Sequence, residues 1–75
     1  MVLLDLSINN LTKIPDISDD TTVLNLCFNK ITKIEILPSS VQKLGLYDNQ
    51  ITKIENLLNS IQELYLDNNQ ITKME

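Results

Sequence analysis

Four carboxylates, two tyrosines and one thiol are the side chains with most chemistry to offer, and their setting limits what they can do. Asp5, Asp48, Glu63 and Asp67 are expected on one face, where they would allow a weak cation site or an acid–base pair; a solvated acidic face is the simpler reading. Cys27 is the sole cysteine, and no base stands near it in sequence. The chain has no histidine, so neither a Ser-His nor a Cys-His pair can be assembled. Metal binding through His and Cys ligands is excluded on the same count. The only glycine, Gly45, falls in mid-strand, so no glycine-rich phosphate loop is present. The expectation is therefore a chain that is not an enzyme and carries no cofactor.

The element that must position these groups occurs four times. Leu44-Gly45-Leu46-Tyr47-Asp48-Asn49-Gln50-Ile51-Thr52-Lys53-Ile54 has counterparts at Leu4, Leu6, Asn9, Leu11, Ile14, at Leu24, Leu26, Asn29, Ile31, Ile34, and at Leu64, Leu66, Asn69, Ile71, Met74, each displaced by 20 residues. A fixed period of this size is the signature of stacked repeats, in which each unit buries its apolar side only against its neighbours. Each unit is expected to open with a strand of about five residues, such as residues 43–47, whose side chains alternate in direction. Leu4/Leu6, Leu24/Leu26, Leu44/Leu46 and Leu64/Leu66 then face inward. The outward columns are Asp5, Asn25, Gly45, Tyr65 and Ser7, Cys27, Tyr47, Asp67. Parallel neighbours need crossover connections, which are overwhelmingly right-handed.

After each strand stands Asn9, Asn29, Asn49 or Asn69, where the chain must turn with its backbone polar groups pointing into the stack. Those groups need partners. Asparagine supplies donors and an acceptor on a short stem, so it can bond its own unit and the next; aspartate lacks the donor and glutamine is longer. Leu11, Ile31, Ile51 and Ile71, then Ile14, Ile34, Ile54 and Met74, then Ile17, Leu37 and Leu57 are expected to complete the core. Between them, Ile14-Pro15 and Leu37-Pro38 fix extended or turn backbone. The outer arc is predicted to hold short 3₁₀ or polyproline-like segments.

The pattern apolar-x-x-Leu-x-Leu-x-x-Asn-x-apolar resembles the leucine-rich repeat family. Its opening slot falls at Met1, Thr21, Val41 and Ile61, with Thr21 the one departure. Ile14-Pro15 and Leu37-Pro38 with the short period resemble the repeats of bacterial effector proteins, whose outer side is extended. Asn49-Gln50-Ile51-Thr52-Lys53-Ile54-Glu55-Asn56-Leu57 resembles instead the wording of internalin-like adhesins and of a phosphatase regulatory subunit. The resemblance implies an α/β-class solenoid: a right-handed parallel β-sheet horseshoe of four coils with an extended or 3₁₀ convex side and no substantial α-helix. One domain over residues 1–75 is expected, with repeats at about 1–20, 21–40, 41–60 and 61–75.

Net charge is −4 with no arginine, and Lys13, Lys33, Lys53 and Lys73 recur once per repeat as a solvated stripe, which argues against nucleic acid. No stretch could span a membrane, and the opening Met1-Val2-Leu3-Leu4-Asp5 is unlike a signal peptide. With one cysteine, an intracellular, cytoplasmic setting is expected, or a host cytoplasm for an effector or viral protein. The surface left for function is the concave one. Tyr47 and Tyr65 stand on neighbouring strands with Asn25, Lys43, Asp48, Glu63 and Asp67 around them and Ile8 and Phe28 near the rim. Aromatic anchors ringed by polar groups suit a protein partner, while cross-strand packing alone would also place tyrosines there. The expected function is protein binding on this face; a regulatory subunit of an enzyme such as a phosphatase, and a degenerate fragment without function, are the alternatives. Met1 opens directly at the first slot of a repeat and Glu75 stops one residue after an inward-facing column, neither with a cap, so the chain reads as a segment cut from or evolved down from a longer array, and self-association through its ends is expected.

Overall fold

The computed structural model describes residues 2–74, the side chains of Lys73 and Met74 excepted. The expected places of Met1 in the opening column, Met74 in an inward column, Lys73 in the lysine stripe and Glu75 at the chain end thus lie outside the described residues. Strands β1 (Val2–Asp5), β2 (Thr21–Asn25), β3 (Lys43–Gly45) and β5 (Glu63–Tyr65) form one sheet in the order β1-β2-β3-β5, every pair parallel. The pairs Leu4↔Leu24, Leu24↔Leu44 and Leu44↔Leu64 carry the sequence period straight into register. Hydrogen bonds continue past the strand ends, with the amides of Leu6, Leu26 and Leu46 each donating over 2.8 Å to the carbonyls of Asn25, Gly45 and Tyr65. A turn precedes three of the strands, closed by Thr21 donating to Ser18, Val41 to Pro38 and Ile61 to Leu58.

Alternation decides the two faces. Leu24, Leu26, Ile31, Ile34, Val41, Leu44, Leu46 and Ile51 are sealed from water, and Leu4, Leu6, Leu11, Leu64, Leu66 and Ile71 pack on them half-buried at the two flanks. Thr21, the departure from the apolar slot, is equally buried because its hydroxyl finds the Ser18 hydroxyl at 3.1 Å.

On the outer arc the expected absence of α-helix holds among the described residues, while the 3₁₀ segments and the place of Leu57 are corrected. None of the described residues is helical, 3₁₀ included; the regular structure there is a second, two-stranded parallel sheet of β4 (Lys53–Ile54) and β6 (Lys73–Met74). Leu57 is 41% exposed and does not continue the column of Ile17 and Leu37; Leu58 packs against the core in its stead. The cause is Asn56, which takes a left-handed φ of 58° and donates to the Ile34 carbonyl at 3.0 Å, turning the chain one residue out of step.

The asparagines close the turns. Asn49 is 6% exposed; its Nδ2 donates to the carbonyls of Leu26, Leu46 and Tyr47, and its Oδ1 accepts from the Ile31 amide at 3.0 Å. Asn29 serves Leu6, Leu26 and Cys27 and accepts from two amides, Asn9 and Leu11. Asn69 repeats the arrangement with Leu46, Leu66, Asp67 and Ile51. Asn9 differs: it is exposed and bonds only the Ser7 carbonyl through its side chain. The left-handed turn falls one residue before each asparagine, at Ile8, Phe28, Asp48 and Asn68, with φ between 55° and 62°. Asp and Asn tolerate this backbone; a β-branched Ile and a bulky Phe are strained by it.

Candidate functional site

On the face opposite the core, β3 and β5 build a cleft of about 300 Å³. Gly45 pairs with Tyr65 across the strands, and Lys43 with Glu63. Because Gly45 has no side chain, the floor of the cleft is bare backbone, and an added Cβ would stand 3.1 Å from the Cys27 Sγ. The walls are Val23 and Cys27 on one side and the rings of Tyr47 and Tyr65 on the other, their centroids 5.4 Å apart and planes inclined by 36°.

The polar groups at the rim hold one another. Lys43 Nζ lies 3.2 Å from a Glu63 carboxylate oxygen, and the Tyr65 hydroxyl donates to the other oxygen. Those contacts, the tyrosine bond first and Lys43 second, hold the Glu63 carboxyl below its ordinary pKa and raise that of the Tyr65 phenol. Asn25 accepts from the Cys27 amide at 3.0 Å, and Asp5 accepts from both the amide and hydroxyl of Ser7, which lowers the Asp5 pKa. Burial pushes the Cys27 thiol up; a backbone hydrogen bond from Tyr47 offsets part of that, and the carboxylates of Asp48 and Asp5 add to the rise.

Of the residues expected to bind a partner, Asn25, Lys43, Tyr47, Glu63 and Tyr65 line this cleft together. Asp48 and Asp67 do not. They sit where the chain turns away from the sheet, adjacent to each other, with the Asp48 amide donating to the Asp67 carbonyl at 3.0 Å. Sequence reasoning left Gly45, Val23 and Cys27 out of the site. A glycine inside a strand pattern is a usable signal for close approach to the backbone, and Cys27 already stands beside Tyr47 in the outward column, whereas Val23 could be placed only once the strand register was known. A broader depression of about 710 Å³ opens on the outer arc, lined by Pro15, Asp16, Lys33, Glu35, Ile36 and Asn56 among others. It is larger and carries the carboxylates of Asp16, Asp19, Glu35 and Glu55, but it gathers no aromatic side chain, so the sheet cleft is the better site for a partner protein.

Among the described residues no group of three or more acidic or thiol side chains is gathered closely enough to hold a metal ion. No helix of the described residues is long and apolar enough to cross a membrane. No family model, curated protein or solved structure matches this chain.

Proposed function

We propose that the chain is a leucine-rich-repeat-like module, four right-handed coils stacked into a short curved array, that binds a partner protein on its concave sheet face. The architecture is supported by the constant register of one repeat per strand and by asparagines that each bond their own turn and the one before it. The observation that carries the function is the Tyr47–Tyr65 pair flanking a bare glycine floor. Two large amphipathic rings beside a cleft, with polar groups at the margin, supply what protein interfaces use as anchors. The side chains of that face hold one another through hydrogen bonds and one ion pair, and the one hydroxyl set against a carboxylate, Tyr65 on Glu63, has its pKa raised and not lowered, which favours recognition over catalysis.

Affinity capture from cell extract with the immobilised chain tests this reading, run beside a Tyr47→Ala/Tyr65→Ala variant. The expected result is a protein retained by the wild type and lost by the variant. Equal retention by both would place binding elsewhere on the molecule. A phosphatase catalytic subunit in the retained fraction would make the chain an enzyme-regulating subunit.

A further inference from the structure

Gly45 carries no positive φ, so its backbone would accommodate any residue. Its missing side chain is therefore a matter of space. The three atoms nearest to a would-be Cβ all belong to β2 or the residue following it closely, Cys27 Sγ at 3.1 Å, Asn25 Oδ1 at 3.5 Å and Asn25 Cα at 3.9 Å. Cys27 thus fills the β2 side of the glycine, and Tyr65 is its paired neighbour on β5. The tilted pair of tyrosine rings lines the same cleft as the bare Gly45 backbone. A strand glycine in such a setting lets something other than the protein's own side chains approach the backbone.

The charge around the cleft narrows what that can be. Inside the cleft Lys43 and Glu63 offset each other as an ion pair, and the unpaired charge nearby is acidic: Asp48 and Asp67 at the adjoining turn and Asp5 on β1. The influence of Asp48 and Asp5 reaches the Cys27 thiol at the cleft wall. An anion would be repelled from such a site, and a purely apolar side chain would leave its field without use. A compact ammonium is strongly hydrated and loses that hydration when it enters an apolar cleft. A guanidinium is weakly hydrated, stacks on aromatic faces, and rides on an apolar stem that can lie over bare backbone while the charged end stays at the margin.

We infer that the Gly45 cleft receives an arginine side chain of a basic partner segment, with the stem over Gly45, the guanidinium against Tyr47 and Tyr65, and its charge facing the acidic margin. This rests on the concave-face reading above and names the chemistry of the partner that face selects.

Gly45 is the only glycine, so its amide is a single-residue reporter in heteronuclear NMR of the full chain. The probe is an acetylated, amidated peptide Gly-Ser-Arg-Ser-Gly, compared with versions carrying citrulline, lysine or norleucine in place of arginine. The arginine peptide is expected to move the Gly45, Tyr47 and Tyr65 resonances and to bind about two- to five-fold more tightly than the citrulline peptide, the ratio an exposed cation–aromatic contact supplies. Glu63→Gln with Asp67→Asn should weaken arginine binding while leaving the preference over citrulline that the tyrosines supply, and both substitutions lie at solvent-accessible side chains, so the fold can be checked in the same spectra. Gly45→Ala, which fills the floor, should weaken every peptide. A norleucine peptide that binds as well as the arginine one, or an arginine peptide that leaves Gly45 unmoved, would overturn the assignment. If a protein is nevertheless captured through Tyr47 and Tyr65, the arginine assignment falls and the face remains a binding surface. Arginine binding with no protein captured through the tyrosines would leave the assignment standing and overturn the function proposed for the face.

Discussion

Replacing Asn49 by alanine removes four hydrogen bonds, but the structure shows that only one of their partners is left alone. The Leu26 carbonyl keeps the Asn29 Nδ2 at 3.0 Å, the Leu46 carbonyl keeps the Asn69 Nδ2 at 2.8 Å, and the Tyr47 carbonyl keeps the Phe28 amide at 2.8 Å. The Ile31 amide has no second acceptor among the described residues, and Ile31 is sealed from water. A buried donor without a partner costs about 1 to 3 kcal/mol, and that is the expected loss for Asn49→Ala. Asn49→Asp separates the two halves of the argument. It keeps an oxygen for Ile31 but turns a donor that faced three carbonyls into an acceptor, so at neutral pH it should cost more than alanine. Those carbonyls raise the pKa of the new carboxyl in the folded state, so its penalty should shrink as the pH falls and the group is protonated. Asn9→Ala is the control, since its side chain is exposed and bonds only the Ser7 carbonyl; it should stay within about 0.5 kcal/mol. Urea melts of the four proteins measure all of this. An Asn49→Ala change within error, or an Asn9→Ala change as large, would refute the ladder as the source of stability.

Leu46→Ala should cost about 2 to 5 kcal/mol and Lys33→Ala stay within about 0.5, while Leu58→Ala should exceed Leu57→Ala if Leu58 is the residue that packs on the core, all read from the same melts. Ile8→Asn should stabilise the chain by up to about 1 kcal/mol, because Asn tolerates the left-handed φ of 59° and the isoleucine side chain, 76% exposed, adds little packing; a loss of stability would show that Ile8 makes contacts that matter more than its strain. Alkaline titration of tyrosinate absorbance should show a phase above the ordinary phenol value of about 10, and Glu63→Gln should move that phase down. The raised Tyr65 pKa makes the neutral phenol a stabilising group that is lost as pH rises through its folded value, whereas the lowered Glu63 pKa makes that carboxylate stabilising until pH falls through its own. Strands β1 and β5 each pair on one side only and leave Leu4, Leu6, Leu64 and Leu66 half-buried, so head-to-tail association is expected to grow with concentration in sedimentation; a cooperatively folded monomer at high concentration would contradict it.

The parallel register, the inward leucines and the bonds of Asn29, Asn49 and Asn69 could be read from sequence because each needs one residue type at one spacing. Burial demands Leu on the inner side of every strand, and a turn with inward-pointing backbone demands a short amide. The left-handed turn was less legible. Asp48 and Asn68 are types that announce it, but Ile8 and Phe28 argue against it, and only the hydrogen bonding around the following asparagine forces the backbone there. Leu57 was misplaced because the period assigns it inward, while a single αL residue at Asn56 shifts the chain; periodicity alone cannot register one turn of that kind. The pairing of β4 with β6 likewise depends on how the outer segments stack, which no local pattern encodes.

The contrast between the two sides of the sheet also says where selection for function can act. Inward positions read Leu in every strand, Leu4, Leu24, Leu44 and Leu64, then Leu6, Leu26, Leu46 and Leu66; in the two central strands, where these side chains are sealed from water, a smaller residue would open a cavity and a larger one would overpack. Outward positions read Asp5, Asn25, Gly45 and Tyr65, then Ser7, Cys27, Tyr47 and Asp67, no two alike within a column. A column free of packing demands can hold any side chain that the strand tolerates. Four near-identical frames therefore present one site that is not repeated, because only β3 combines a bare backbone with a tyrosine two residues on and another across the strand. Packing is spread over all four strands, whereas the sheet cleft lies in the one place where the outward side chains leave the backbone bare.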